Sequence, residues 1–460
     1  MKVRKTKSTI VALGPWLALL ALLSGCGSSS NEVTPPSDGD SEAETESETT
    51  TDPKVLAAGD YSLSVLDDPQ GFVLKRGERT LLRLPLSGLL LGRVAAIEDK
   101  TNYDPYPLIA KEGGYAAPKG LSFVAATATG NYVRQGSMAT LSLSFEGGAK
   151  AELTLELKDS GRYRFLFTPA AGQNVAYIRV APRGDAAEGF YGLGEYFDSV
   201  NHRGKLRAMQ LEGAGLESGY NEAHVPVPFV VGTTGWGFFV NNLYPAVFDV
   251  ATAENDKVEA VFGTGAASVK GLEFYLFAAP TALDVTRHYY DVTGYPKEPA
   301  RWALGPWVWR DELSTSGPNA SETQALADMH TMRELDLAAS GYWIDRPYAS
   351  GVNSFDFNPA QFADAAAMIR EGNDLGYRLA IWHAPYVSAG NESTEKTIAL
   401  DAEAKSKGYY PPKSGIRFNK WGTIIDFTNP DAYAWWLNLL GAYKALGIEG
   451  YKLDYAEHVV

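Results

Sequence analysis

The chain has 460 residues and an acidic composition, with a net charge of −14 and a hydrophobic content of 45%. Its length allows about three domains, and its apolar content is ample for a large core. Nucleic acid is excluded as a main partner, because phosphate binding requires a basic surface. Aromatic residues make up 12% of the chain. Most of them are expected in the core, although Trp and Tyr also suit stacking on sugar rings. Composition indicates no oligomeric state.

The chain opens with a basic segment and then an apolar run from Ile10 to Leu23. The run is short for a membrane span and small residues follow it, which is typical of an export signal. The sequence Leu-Ser-Gly-Cys that ends at Cys26 resembles the lipobox of bacterial lipoproteins, which implies cleavage before Cys26 and acylation of its sulfur. A buried structural cysteine is the alternative. We predict a signal peptide over residues 1–25 and a lipid-anchored protein of the bacterial cell envelope, at the outer membrane, the cell surface or facing the periplasm.

Two segments of different character follow. Residues 26–53 are rich in Gly, Ser, Thr, Pro and acids and lack apolar periodicity, which predicts a disordered tether. Residues 54–295 contain short alternating runs such as ATLSLSFEG and KAELTLELKD, bounded by Gly, Asp and Pro. Regular strands without intervening helices predict an antiparallel β-sandwich. A helical pattern closes this region and ends at Gly294.

Strands and helices alternate from residue 296 to residue 460. The strands are predicted in RWALGPWVWR, SGYWID, YRLAIWHAP and IEGYKLDYAE. The helices are predicted from the Ser321 capping box to about Ala338, from Pro359 to Gly376, and from Asn429 to Gly447. This order predicts a parallel α/β array. No glycine-rich phosphate loop follows a strand, which disfavours a nucleotide-binding sheet. A (β/α)₈ TIM barrel takes about 250 residues, so four strands predict its first half.

Polar and aromatic residues close the predicted parallel strands, and in a barrel such strand ends form the functional face. They are Trp309, Arg310, Asp345, Trp382, Lys452, Asp454 and Glu457. Glycoside cleavage uses carboxylates of this kind, on different strands and beside tryptophans. A structural alternative is that Arg346 only neutralises Asp345. The six histidines show no metal-ligand spacing, so we predict no metal and no cofactor.

Five segments in order carry a family resemblance. They are GFYGLGEYFD at 189–198, RWALGPW at 301–307, WIDRPY at 343–348, LAIWHAPYV at 379–387 and YKLDYAE at 451–457. Together they resemble landmarks of glycoside hydrolase family 31. The resemblance implies retaining α-glycosidase chemistry on an oligosaccharide or glycoside. It also identifies the β-domain as the family's galactose mutarotase-like sandwich, which contributes a loop to the active site.

The resemblance also implies roles for single residues. Asp454 matches the catalytic nucleophile, and Lys452 matches a residue that contacts sugar hydroxyls. Asp345 matches a carboxylate that binds hydroxyls of the sugar being cleaved, and Trp382 matches a wall of the same subsite.

Four further positions complete the predicted site. Trp309 and Arg310 are expected to line the pocket where the first strand ends, and Asp198 falls in the sandwich loop that reaches towards the substrate. Glu457 either contacts the sugar or anchors its neighbours.

The sequence also departs from the family pattern. Arg346 and Pro347 replace a hydrophobic-acidic pair common in its α-glucosidases, which leaves xylosides, galactosides and charged sugars open. His383 stands where asparagine is common, and is expected to form hydrogen bonds in the core. No acid matches the general acid/base, which in this family follows a later strand. We therefore expect the sequence to be an amino-terminal fragment that is inactive alone.

Two other functions remain. One is an α-galactosidase of a related barrel family, in which a Lys-x-Asp motif also ends the fourth strand, although this leaves GLGE and RWALG unexplained. The other is a surface glycan-binding lipoprotein that binds sugars without turning them over.

Overall fold

The computed structural model describes residues 52, 54–98, 103–110, 116–209, 225–310, 320–388, 390, 393–411 and 422–454. Cys26 and Glu457, with the roles predicted for them, lie outside these residues. No helix in the described part of the chain is long and apolar enough to span a membrane.

The first part of the described chain is built almost entirely of strands. These are β1 Val55–Ala58, β2 Tyr61–Asp67, β3 Gln70–Arg76, β4 Arg79–Pro85, β5 Leu89–Arg93, β6 Ser122–Gln135, β7 Met138–Phe145, β8 Lys150–Asp159, β9 Arg162–Pro169, β10 Val175–Val180, β11 Phe190–Gly194, β12 Lys205–Ala208, β13 Pro226–Gly232, β14 Trp236–Val240, β15 Ala246–Val250, β16 Val258–Gly263 and β17 Leu272–Ala278. Two helices accompany them, α1 Tyr106–Ala110 and α2 Ala282–Thr293. Helix α2 ends at Gly294, as predicted.

The strands pair antiparallel, as their alternating sequences predict. Strands β1 to β4 form one sheet, and the other thirteen form a single hydrogen-bonded series. The series is continuous because the long strand β6 pairs with β5 through Ser122–Ala125 and with β7 through Ala126–Gln135. Register shifts in the β6–β7 pairing are the kind of irregularity that bends a strand. The predicted antiparallel β-sandwich is therefore built of sheet sections that share the strand β6.

One hydrophobic core lies between these sections. Phe238 on β14 and Phe248 on β15 come from opposite ends of the series, and their ring centroids lie 6.1 Å apart. Phe72 on β3 contacts Phe165 on β9 edge to face at 5.8 Å. The four-stranded sheet and both sections of the longer one therefore bury their inward-facing side chains together, as alternation requires.

The second part of the described chain alternates strands and helices. Its elements are β18 Trp307–Arg310, α3 Ala320–Glu334, β19 Gly341–Ile344, α4 Ala365–Asp374, β20 Arg378–His383, β21 Tyr386–Ser388, α5 Glu395–Lys407, β22 Gly422–Ile424, α6 Pro430–Leu446 and β23 Gly450–Leu453. Strands β18, β19, β20 and β23 form a parallel sheet in that order. Asn429 caps α6 and Gly447 ends it in a left-handed conformation, as predicted.

Some predicted boundaries were wrong. Arg301–Leu304 is a 3₁₀ turn rather than strand, because the Gly-Pro pair at 305–306 separates it from β18. Helix α4 begins after Asp364, whose side chain accepts a hydrogen bond from the Ala367 amide, and not at Pro359. Helix α3 ends at Glu334, short of Ala338. Helix α5 and the antiparallel pair of strands β21 and β22 lie in a stretch that the sequence indicated only as an insertion.

Candidate active site

The register of the parallel sheet collects the predicted site residues on one face. Trp309 lies opposite Trp343, and Trp382 lies opposite Lys452. Side chains two residues apart on a strand share a face. The face that results, which we call the rim face, carries six side chains. They are Trp309, Trp343, Asp345, Trp382, Lys452 and Asp454.

The ammonium group of Lys452 joins two carboxylates at the carboxyl ends of different strands. Its Nζ lies 3.2 Å from Asp345 Oδ2 and 3.1 Å from Asp454 Oδ2. Burial alone would lower the pKa of Lys452, but the charge of Asp345 and the hydrogen bond and charge of Asp454 outweigh it and raise that pKa. Lys452 therefore stays charged at neutral pH and holds both carboxylates beside each other.

Asp454 is held from both its side chain and its backbone. The Trp382 Nε1–H donates to Asp454 Oδ2 over 2.8 Å, and the Asp454 amide donates to the His383 carbonyl over 2.8 Å. A nucleophilic carboxylate needs a fixed position relative to the carbon that it attacks. Trp382, predicted as a wall of the sugar subsite, contributes to that position.

Asp345 is buried and accepts from several donors. Its Oδ1 accepts from the Arg346 amide at 2.6 Å, which caps the short 3₁₀ helix Arg346–Tyr348. Its Oδ2 accepts from Trp309 Nε1 at 3.3 Å and from Lys452 at 3.2 Å. Two of its donors are therefore side chains on other strands of the sheet, Trp309 on the adjacent β18 and Lys452 on β23, which lies beyond β20.

Trp343 is a rim residue that the sequence analysis missed. Its ring is stacked on Trp309, with centroids 5.3 Å apart and planes 10° from parallel. The Lys452 Nζ lies 4.7 Å from the centre of the Trp343 ring, within the range of a cation–π contact. Trp309 is 54% exposed, so part of its ring surface is open to solvent at the rim. The signal was available, because Trp343 lies two residues before Asp345 on one strand.

Arg310 was predicted to line the pocket, and the structure places its guanidinium against Asp328 on helix α3 and not among the rim residues. Its guanidinium donates to both oxygens of Asp328 on α3, at 2.9 and 2.6 Å. The Tyr342 hydroxyl donates to Asp328 Oδ2 at 2.8 Å. The physical reason is alternation along β18, since the residue after an inward-pointing Trp309 points towards the helices.

Asp198 has its ion pairs within the sandwich. Its carboxylate pairs with Arg207 at 2.7 Å and with Lys205 at 3.2 Å, both on the neighbouring β12. Burial opposes ionisation, but the hydrogen bonds from Arg207 and Lys205 hold the pKa of Asp198 below its ordinary value. The structure does not bring Asp198 to the rim residues, and its contact with substrate stays a prediction.

His383 lies on the opposite face of the sheet and is fully buried. Its Nδ1 is 2.8 Å from Asn353 Oδ1, and its Nε2 is 3.3 Å from the Tyr348 hydroxyl. Burial lowers the pKa of His383 to about 3, so the ring is neutral. The expectation of a hydrogen-bonded core histidine is confirmed. The described residues contain no group of three or more His, Cys, Asp or Glu side chains placed to hold a metal.

Family models match both parts of the chain. The glycosyl hydrolase 31 N-terminal galactose mutarotase-like domain matches residues 120–249, and the glycosyl hydrolases family 31 TIM-barrel domain matches residues 296–460. The chain is thus of the class in which a mutarotase-like β-domain precedes a TIM-barrel domain. Both models describe one family, and the chain carries two domains of glycoside hydrolase family 31.

Curated relatives and solved structures agree with this. The α-xylosidase XylQ of Lactiplantibacillus pentosus is 26% identical over 294 residues, which cover 62% of this chain and 36% of the relative. An α-xylosidase of Emericella nidulans is 26% identical, with 59% and 34% covered. The chain spans about a third of the length of these relatives. A family 31 sulfoquinovosidase from E. rectale has the same fold, with a TM-score of 0.61 at 18% identity over 86% of this chain and 59% of that one.

Proposed function

We propose that this chain is the amino-terminal portion of a retaining α-glycosidase that hydrolyses terminal α-linked glycosides, with Asp454 as the nucleophile. The observation that carries the proposal is the rim arrangement around Lys452. Asp454 is fixed by Trp382 and by its own backbone, and it lies beside Asp345 at the carboxyl ends of parallel strands.

The geometry suits a two-step displacement. A carboxylate oxygen of Asp454 attacks the anomeric carbon while the bond to the leaving oxygen breaks and a general acid protonates that oxygen. The same group then takes a proton from water, which attacks the glycosyl-enzyme, releases the sugar and restores the carboxylate. The carboxylate of Asp454, held beside the anomeric carbon, would also stabilise an oxocarbenium-like transition state.

Asp345 suits substrate binding better than proton transfer. A general acid must donate a proton, whereas both Asp345 oxygens accept hydrogen bonds, from Trp309, Lys452 and the Arg346 amide. We therefore propose that Asp345 binds the sugar hydroxyls and that the Trp309 ring stacks on a sugar ring. The general acid/base, which retaining enzymes place about 5 Å from the nucleophile, is assigned to residues outside this sequence. In that proposal β18, β19, β20 and β23 are four strands of an eight-stranded barrel.

The substrate is an α-glucoside, α-xyloside or α-galactoside. The curated relatives include α-xylosidases, an α-glucosidase of Saccharolobus solfataricus and an isomaltosyltransferase of Sporosarcina globispora, so the family match alone does not select the sugar. We further propose export, cleavage before Cys26 and acylation of its sulfur. Mass spectrometry of the mature amino terminus would contradict this by finding an unmodified Cys26.

The test is Asp454→Ala in the complete protein, assayed on aryl α-glycosides of glucose, xylose and galactose. We expect hydrolysis to fall below detection, because the glycosyl-enzyme cannot form, while calorimetry still detects sugar binding. A 2-deoxy-2-fluoro α-glycosyl fluoride should label Asp454 in the wild type, as read by peptide mass. Unchanged turnover in the variant would exclude Asp454 as the nucleophile. Sugar binding by a wild type without turnover would support the glycan-binding alternative.

A further inference from the structure

His383 lies at the centre of a group of polar side chains on the face of the parallel sheet opposite the rim. We call this group the buried cluster, and its members are Tyr348, Asn353, His383 and Tyr443. Tyr348 and Asn353 lie in the segment that follows β19, as Asp345 does. His383 ends β20, and its carbonyl accepts the Asp454 amide. The buried cluster therefore connects the segment that carries Asp345 with the strand that holds Asp454.

Asn353 engages both ends of its side-chain amide. Its Nδ2 donates to the carbonyls of Ala384 and Tyr386, which follow β20, so both amide hydrogens are used. Its Oδ1 therefore faces His383 and lies 2.8 Å from Nδ1 of that ring. The reverse orientation of the amide would direct an oxygen at two carbonyl oxygens, which would repel it. Only one orientation of Asn353 satisfies these neighbours.

The orientation of Asn353 determines which nitrogen of His383 carries the proton. Nδ1 faces an acceptor oxygen, so it carries the hydrogen and donates it. Because burial lowers the pKa of the ring to about 3, the ring is neutral and Nε2 carries no hydrogen. Nε2 is thus an acceptor, and the Tyr348 hydroxyl lies 3.3 Å from it. The same hydroxyl lies 3.2 Å from that of Tyr443 on α6.

Aromatic rings surround the imidazole of His383. The Phe355 ring is stacked against it with centroids 5.4 Å apart, and the rings of Tyr443 and Tyr451 lie at 5.5 and 5.6 Å. Hydrogen bonds are stronger in such surroundings than in water, and a polar group that loses its partner there is costly. The buried cluster is therefore a stiff connection between the segments that it joins.

The backbone at Asn353 also suits an asparagine. Its φ is 56°, in the left-handed region that asparagine enters more readily than most other non-glycine residues. The Asp356 carboxylate accepts from the Ser350 amide over 3.2 Å, which closes the turn around Asn353. A glycine at this position would keep the backbone conformation and remove only the amide. It therefore separates the hydrogen bonds of Asn353 from the shape of its turn.

We propose that His383 and Asn353 are positioning residues for the two rim carboxylates. The inference rests on the proposed function and gives the core histidine a part in it. Asn353 fixes the ring and the tautomer of His383. The His383 carbonyl holds the Asp454 amide, and its ring contacts Tyr348. Tyr348 ends the 3₁₀ turn whose first residue follows Asp345. The buried cluster thereby sets the separation of the two carboxylates.

The experiment compares two amides in place of the histidine, in the complete protein. In His383→Asn the amide nitrogen takes the place of Nδ1 and donates to Asn353, whereas in His383→Gln the amide reaches the place of Nε2. We expect His383→Asn to keep kcat for aryl α-glycosides within about threefold of wild type. His383→Gln should lower kcat by about tenfold to a hundredfold, the effect of a misplaced reacting group. KM should rise by less than about fivefold in both, because every rim side chain remains.

Asn353→Gly is the second variant, and it should lower kcat as His383→Gln does. The rate at which the fluorinated glycosyl fluoride labels Asp454 should fall equally, because labelling requires the attack of the nucleophile. The matched control is Tyr377→Phe. It removes a buried hydrogen bond to the Met329 carbonyl, of 3.3 Å, at the opposite end of β20. This control should keep kcat and the labelling rate, and its thermal unfolding shows how far a loss of stability alone affects them.

Nitrogen NMR of protein labelled with ¹⁵N-histidine reads the tautomer directly. The difference between the spectra of wild type and His383→Asn should show a protonated Nδ1 and an unprotonated Nε2. In Asn353→Gly the proton should no longer be confined to Nδ1. A protonated Nε2 in the wild type would overturn the role of Asn353. This measurement and Asn353→Gly decide the question if His383→Gln does not fold.

The outcomes separate this inference from the proposed function. Equal kcat in His383→Asn and His383→Gln, or wild-type kcat in Asn353→Gly, would overturn the positioning role and leave the hydrolase proposal standing. If the wild type cleaves no glycoside, the proposed function fails instead, and sugar binding by calorimetry tests the buried cluster through Asp345. A loss of affinity in Asn353→Gly that Tyr377→Phe does not share would support it, and an unchanged affinity would overturn it.

Discussion

Two ion-pair clusters, one in the β-domain and one at the rim, have opposite ratios of acid to base. In the β-domain Asp198 is paired with two cations, Lys205 and Arg207. At the rim one cation, Lys452, is shared by two carboxylates. The first cluster neutralises its acid locally. The second places two carboxylates around one cation at the carboxyl ends of two strands, where like charges would repel each other without that cation.

The clusters also differ in how far along the chain their members lie. Asp198 and Arg207 are nine residues apart, so local chain closure brings them together. Lys452 and Asp345 are 107 residues apart and meet only when the parallel sheet has formed. The first cluster therefore reports on a local segment, and the second reports on the assembled site. Removing the cation from each should separate stability from function.

Among the variants that compare these two clusters, Lys452→Met has the largest expected effect. Without the ammonium group, Asp345 and Asp454 repel each other and lose their fixed positions. We expect kcat/KM for aryl α-glycosides to fall by about 10²- to 10³-fold, the range for loss of one preorganised polar group. The matched control is Lys205→Met, which removes a half-exposed cation from the β-domain cluster and should change kcat/KM by less than about twofold and stability by less than about 1 kcal/mol. Similar losses in both variants would contradict the comparison.

The features that the sequence predicted correctly rest on short-range signals. Alternation predicted the antiparallel strands, and Asn429 with Gly447 predicted both ends of α6, because each acts within a few residues. The carboxyl ends of parallel strands share one edge of a sheet. This rule predicted that four residues lie together, namely Asp345, Trp382, Lys452 and Asp454.

The errors arose where the structure depends on tertiary contacts or on the direction in which a side chain points. Two sheet sections join through β6 because its first half pairs with β5 and its second half pairs with β7, and these pairings form only in the folded domain. Arg310 was assigned to the pocket and Trp343 was missed for one reason, since residues were chosen by their distance from a strand end and not by the face of the sheet on which they lie. Strict alternation from Asp345 would have assigned both.

The second prediction tests the buried face of the same sheet through its pH dependence. His383 remains neutral in the folded protein because its pKa is lowered to about 3, whereas in the unfolded chain histidine titrates near 6.5. As the pH falls from about 6.5 towards 3, only the unfolded chain takes up this proton. Stability is therefore lost through that window, by up to about 1.4 kcal/mol per pH unit.

His383→Asn should remove this contribution. Urea unfolding of both proteins at pH 7, 6 and 5 would show it as a smaller loss of stability on acidification in the variant, whatever its stability at pH 7. His330→Asn is the matched control, because the His330 ring is exposed and pairs with Glu371 at the surface, and it should keep the wild-type slope. An unchanged slope in His383→Asn would show that the ring is protonated or exposed in the folded protein.

The smallest effect is expected at the outer strand β18, where Arg310, Asp328 and Tyr342 anchor the strand end to α3. This contact adjoins Trp309, whose ring stacks on Trp343 and whose Nε1 donates to Asp345. Asp328→Asn turns one acceptor into a donor that faces Arg310 and should loosen the position of Trp309. We expect KM for aryl α-glycosides to rise by about three- to tenfold with a smaller change in kcat, because a positioning contact worth about 1 kcal/mol is lost. Glu449→Gln breaks a comparable arginine pair, with Arg378, at the other end of the sheet and should leave KM unchanged. If both variants raise KM equally, the effect belongs to the stability of the sheet, and Arg310 has no part in placing the aromatic surface.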